Sequence, residues 1–151
     1  MTFVIGVIGS GDLNKRQDPL ALEVGACIAR HGAAMVCGGL SGIMEAASRG
    51  AAQENGTIIG ILPGSDKEDA NPHITFTIPT GMGVARNILI VRTADVLVAL
   101  PGGSGTLSEI ALALNIGKPV VDLGGWHIDG TRTASSAEEA VDLALELCAH
   151  G

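Results

Sequence analysis

The chain has 151 residues, nine basic against sixteen acidic side chains for a net charge of −7, 46% hydrophobic residues and a mean hydropathy of +0.39. That apolar content excludes a disordered chain, and the acidic balance argues against nucleic-acid binding, which needs a clustered basic surface. The length suits one domain whose core, with only Phe3, Phe76 and Trp126 as aromatics, must be aliphatic.

Glycine is the anomaly. It supplies 22 residues, roughly twice ordinary usage, without a collagen period, so the positions of the glycines have to be read along the chain.

Phe3–Gly9 is a continuous apolar run that ends in Gly-Ser-Gly and predicts a strand buried on both faces. Asp18-Pro19 is a cap followed by proline at the first helical position, and the helix should reach His31, with Gly32 past its end. Ala33–Cys37 predicts a second strand closed by Gly38-Gly39, Gly42–Asn55 a helix ended by Gly56, and Thr57–Leu62 a third strand. The polar stretch 63–73 reads as a surface loop, and Ile74–Ile78 alternates like a strand with one solvated face. A helix is expected over Gly83–Thr93, a buried strand over Asp95–Leu100, a helix over Thr106–Ile116 and a last strand over Val120–Leu123. Ser135 and Ser136 each offer a capping box, to Glu138 and Glu139, for a C-terminal helix.

Strands alternating with helices predict a single-domain α/β fold: Rossmann-like, doubly wound, with a mainly parallel sheet and helices on both faces. Ligands of such folds bind beyond the carboxyl ends of the strands, which directs attention to the loops 9–14, 38–42, 79–83 and 101–106. Two helices are apolar nearly all round, at Ile88–Val91 and Ile110–Leu114. A helix on a sheet keeps a polar outer face unless something covers it, so a homodimer or homotetramer is expected.

The chemistry-bearing loops repeat one design. Gly102, Gly103, Ser104, Gly105 and Thr106 open a helix after a buried strand, where close backbone N–H groups, hydroxyls and the helix dipole suit a phosphate. Gly38, Gly39, Ser41 and Gly42 repeat it at another helix start, and Gly9-Ser10-Gly11 begins a third such turn. Neither the P-loop lysine pattern nor the dinucleotide fingerprint is present: Asn14 stands at the third glycine's place, and no acidic residue ends the second strand.

Glu109 reads as a capping-box partner of Thr106 or as a carboxylate acting on a ligand's sugar. Arg86, beside a strand-end loop in a chain with few cations, reads as an anion partner. The four histidines show no metal-ligand spacing, so neither a metal nor a required cofactor is expected. Cys27, Cys37 and Cys148 are odd in number and form no C-x-x-C pair, which suits reduced thiols in a cytoplasmic protein. The apolar start lacks a preceding basic residue and no run approaches the ~20 apolar residues of a membrane span, so neither a signal peptide nor membrane insertion is expected.

Pro101-Gly102-Gly103-Ser104-Gly105-Thr106-Leu107-Ser108-Glu109 resembles the PGGxGTxxE motif of the LONELY GUY family. Arg86, 23 residues earlier, resembles the arginine of that family's second motif, and Gly38-Gly39…Gly42-Ile43-Met44 its GGxxxGxM loop. The resemblance implies a Rossmann-like oligomer. It also implies hydrolysis of the N-glycosidic bond of nucleoside 5′-monophosphates, with Arg86 and Glu109 as the catalytic pair and Gly102–Thr106 on the 5′-phosphate. Enzymes of the family carry Arg-Lys in the second motif and two consecutive glutamates in the first; here Asn87 and Ser108 stand at those places. The short chain, Asn71-Pro72…Pro79-Thr80-Gly81 and Gly117–Val120 look more like a sister group that includes molybdenum-cofactor carrier proteins. That likeness implies a pterin-phosphate ligand that is carried without turnover; a nucleotide carrier, or a regulatory sensor that binds a nucleotide without turnover, is the further alternative.

Overall fold

The apolar runs become the strands of one sheet. The computed structural model describes residues 2–150, with β1 (Val4–Ile8), α1 (Pro19–Arg30), β2 (Ala34–Cys37), α2 (Ile43–Gln53), β3 (Ile58–Leu62), β4 (Phe76–Pro79), α3 (Asn87–Thr93), β5 (Val96–Ala99), α4 (Ser104–Asn115), β6 (Val120–Asp122), β7 (Arg132–Thr133) and α5 (Ala137–His150). The strand order is β4-β3-β2-β1-β5-β6-β7, and every pairing is parallel. The chain winds outward from β1 through β2 to β4, then returns to the other side of β1 with β5. The switch of direction therefore falls between β1 and β5, where open α/β sheets leave a crevice for ligands.

Alternation along each strand builds two cores. Ile5, Val7, Met35, Cys37, Val96 and Val98 face one side, packed under α1, α2 and α5. Val36, Ile61, Leu97 and Ala99 face the other, under α3 and α4. Each fully buried branched side chain contributes about 2 kcal/mol of transfer free energy.

The helix α1 starts as its sequence dictates, with Asp18 Oδ1 accepting from Ala21 N at 3.0 Å. Gly25 of α1 and Gly50 of α2 let the two helices touch backbone to backbone, since a Cβ on either would collide with a carbonyl of the other helix. These two glycines serve packing rather than a loop. At α5, Ser136 with Glu139 forms the cap: Glu139 N donates to Ser136 Oγ at 3.1 Å, while its carboxylate accepts from Ser135 N and Oγ.

Several expectations are corrected. The helix expected over Gly83–Thr93 is a 3-10 turn at Gly83–Arg86 followed by α3, because Gly83 enters with φ +60° and the tighter turn aims Arg86 inward. The helix expected from Thr106 begins at Ser104, with Gly103 as an extended N-cap. The strand expected over Ile74–Ile78 runs over Phe76–Pro79. Val120–Leu123 is not the last strand, because the two exposed residues of β7 pair with β6; a polar pair carries no periodicity that sequence reading could use.

Candidate functional site

Three loops meet at the switch point. Ser10 joins them: its N–H donates to Pro101 O (2.9 Å), and its carbonyl accepts from Ile43 N (2.8 Å) at the start of α2. Its hydroxyl accepts from Asp12 N (3.0 Å). The cleft they enclose has a volume of about 170 Å³ and is lined by Val7, Ile8, Gly9, Gly11, Gly38, Met44, Arg86, Asn87, Gly105, Thr106 and Glu109. Of the residues picked from the sequence, Gly9, Gly38, Arg86, Gly105, Thr106 and Glu109 thus line one cleft. Ser10, Gly39, Ser41, Gly42, Gly102, Gly103 and Ser104 do not line it.

Loop packing accounts for several of the latter. A Cβ on Gly42, already at φ +73°, would strike the Ser10 carbonyl, and one on Gly102 would strike the Thr106 side chain. Gly39, at φ +76°, lies against Leu62 and Gly60. The Ser41 hydroxyl is buried without a hydrogen-bond partner among the described residues.

Gly103 and Gly105 are different. A Cβ on either would meet nothing within 4 Å, and neither has a positive φ. Packing within the chain gives no reason for glycine at these two places.

Arg86 is buried, and its guanidinium is held entirely by neutral acceptors. Nε donates to Ile61 O at 2.8 Å, Nη2 to Gly38 O at 3.4 Å, and Nη1 to Asn87 Oδ1. No carboxylate lies within ion-pair distance of it among the described residues. Burial lowers its pKa from the ordinary arginine value, with the charge of Glu109 opposing. The cation is nonetheless protonated at any physiological pH.

Glu109 faces the same cleft and is 7% exposed. Burial pushes its carboxyl up to about 7, against the pull of the Arg86 charge. The start of α4 at Ser104 decides between the two readings of this residue. Thr106 lies inside the first turn, no side chain caps the helix, and the Thr106–Glu109 capping box does not form. Glu109 is free for the cleft.

Sequence reading left Asp122 out altogether. It is buried at the end of β6, and its two oxygens accept from Gly124 N (2.9 Å), Trp126 N (3.2 Å) and His127 N (2.8 Å). The turn it holds backs the Pro101 loop: Trp126 Nε1 donates to Leu100 O at 3.0 Å, and Gly124 lies against Leu100 and Pro101. An acidic residue ending an apolar strand before Gly-Gly was the available signal. Among the described residues no three His, Cys, Asp or Glu side chains group as a metal site, and no helix is long and apolar enough to cross a membrane.

The sequence profile of the SLOG cluster4 family matches residues 2–147. Among solved structures, the molybdenum cofactor binding protein of Rippkaea orientalis superposes with a TM-score of 0.90 at 34% identity, covering 97% of this chain and 98% of that one. The molybdenum cofactor carrier protein of Chlamydomonas reinhardtii superposes with a TM-score of 0.88 at 34% identity, covering 99% of each. The cytokinin riboside 5′-monophosphate phosphoribohydrolase of Mycobacterium tuberculosis is 34% identical over 123 residues, 75% of this chain and 66% of the enzyme.

Proposed function

The chain belongs to the SLOG cluster4 family, and from that premise we propose that its cleft binds the phosphate end of a phosphorylated heterocycle, a nucleoside monophosphate or a pterin-phosphate, and that the protein carries this ligand. The observation that carries the reading is Arg86, a buried cation with only neutral partners, opening onto a glycine-lined cleft. Such a charge is costly to bury and is matched by an anion. Gly105 and the start of α4 add backbone N–H groups, and the Thr106 hydroxyl adds a further donor. The full-length likeness to two molybdenum cofactor proteins favours a pterin as the heterocycle.

Gly105→Ala separates ligand binding from folding. A methyl group there meets open space, and alanine favours the helix by up to about 1 kcal/mol, so thermal stability should hold or rise while affinity for AMP, measured by calorimetry, falls at least about tenfold as the methyl group displaces the ligand. Unchanged affinity in Gly105→Ala would refute direct approach of a phosphate to this turn. Mass spectrometry of protein co-expressed with a molybdenum cofactor pathway should find a bound pterin; finding none, with no added pterin bound, counts against the carrier.

A second reading is favoured by one observation: Arg86 and Glu109 line the same cleft. Cleavage of an N-glycosidic bond builds positive charge on the ribose, which a nearby carboxylate stabilises while it orients water. Incubation with AMP or a cytokinin monophosphate and assay of free base tests it. Base release lost in Glu109→Ala supports hydrolysis; no release, with both proteins alike, removes it.

The protein is also proposed to be a homo-oligomer. The helices α3 and α4 pack on one face of the sheet, and Phe76 and Val84 are left 61% and 85% exposed, with Ile78, Met82 and Leu107 also exposed. Light scattering on a sizing column should give a multiple of 15.2 kDa, reduced in Val84→Glu. A monomeric wild type refutes it.

A further inference from the structure

Asn87 and Ser108 stand where the enzymes resembled carry lysine and glutamate, and the fold brings them together. Arg86 Nη1 donates to Asn87 Oδ1, Asn87 Nδ2 donates to Ser108 Oγ at 3.3 Å, and the Ser108 hydroxyl donates to Gly105 O at 2.7 Å. The direction of the chain is fixed chemically. Guanidinium has no acceptor, so the amide must present its oxygen to Arg86 and its nitrogen to Ser108. One serine lone pair is then occupied, and the hydroxyl proton goes to the Gly105 carbonyl in the first turn of α4. Asn87 is buried, and each bond polarises the next.

We propose that Asn87 is a positioning residue: through Ser108 it fixes the Arg86 guanidinium to the Gly105 turn, so that cation and loop form one rigid anion-binding unit. An amide does this without charge. Aspartate in its place would also hold the arginine, but would neutralise it. The site therefore needs asparagine for two separable reasons, geometry and charge. The anion part of this inference rests on the ligand reading above; the positioning part does not.

The experiment follows the Arg86 side-chain N–H signals by nitrogen-15 NMR and AMP affinity by calorimetry, in wild type, Asn87→Ala, Asn87→Asp and Ser108→Ala. In the wild type, hindered rotation should keep the two Arg86 Nη groups distinct. In Asn87→Ala and in Ser108→Ala, whose exposed position makes it the variant expected to fold, they should average. Asn87→Asp should keep them distinct yet bind AMP at least about tenfold more weakly, as an ion pair takes the charge. Identical Arg86 signals in wild type, Asn87→Ala and Ser108→Ala overturn the positioning role. Full AMP affinity in Asn87→Asp overturns the charge argument. Averaged signals in the variants with no AMP binding even in the wild type uphold positioning and refute a nucleoside monophosphate as the ligand instead.

Discussion

Replacing Glu109 with glutamine tests the electrostatics of the cleft without a ligand. The folded protein holds this carboxyl at about 7, against an ordinary value of 4.5. Between those two values the folded state keeps a proton that the unfolded chain releases. Stability from this group is therefore complete below about pH 4.5 and is lost as pH rises through about 7. The difference corresponds to about 3 kcal/mol. Glutamine has the same shape and no proton to lose, and all other titrating groups are common to both proteins. Urea unfolding from about pH 4.5 to about pH 8 should therefore show the variant gaining about 3 kcal/mol on the wild type. In melting temperature that is roughly 6–12 °C for a chain of this size. Parallel stability–pH profiles would mean that Glu109 ionises as freely in the fold as in water, and would refute a burial cost that exceeds the pull of the Arg86 charge.

Two further substitutions probe the frame around the cleft. Gly50→Ala drives a methyl group into the Leu22 carbonyl on α1, so denaturant unfolding should show a loss of about 3 kcal/mol; a loss under half that would mean that α1 and α2 can slide apart. Asp122→Asn turns a donor toward an N–H that now finds an acceptor. A loss of about 2 kcal/mol is expected, together with faster hydrogen exchange at Gly102, Gly103 and Gly105. Unchanged exchange would show that the turn at residues 122–127 does not support the Pro101 loop.

Much of the fold was legible because it is local. Apolar runs of four or five residues bounded by glycine specify buried strands, Asp18-Pro19 specifies a helix start, and alternation of the two element types specifies parallel crossovers. The loops that meet at the cleft were legible for the same reason: glycine, serine and threonine at a helix start have a short-range chemical meaning. Boundaries were less so. Whether α4 begins at Ser104 or Thr106 depends on the extended backbone that Gly103 adopts, and that shift decides whether Glu109 is a cap or faces the cleft.

The sequence by itself determined the strand–helix alternation, the aliphatic core and the placing of its glycines at strand ends. Only the tertiary structure decided which of those glycines face the cleft, and that Gly25 and Gly50, inside helices, let α1 and α2 touch. It alone brought Arg86, Asn87 and Ser108 into one chain of hydrogen bonds, and set Asp122 behind the Pro101 loop. The physical reason is range. Backbone preference and hydrophobic period act over a few residues, whereas the burial of a charge and the partner of a side chain are set by segments that meet only once the sheet has formed.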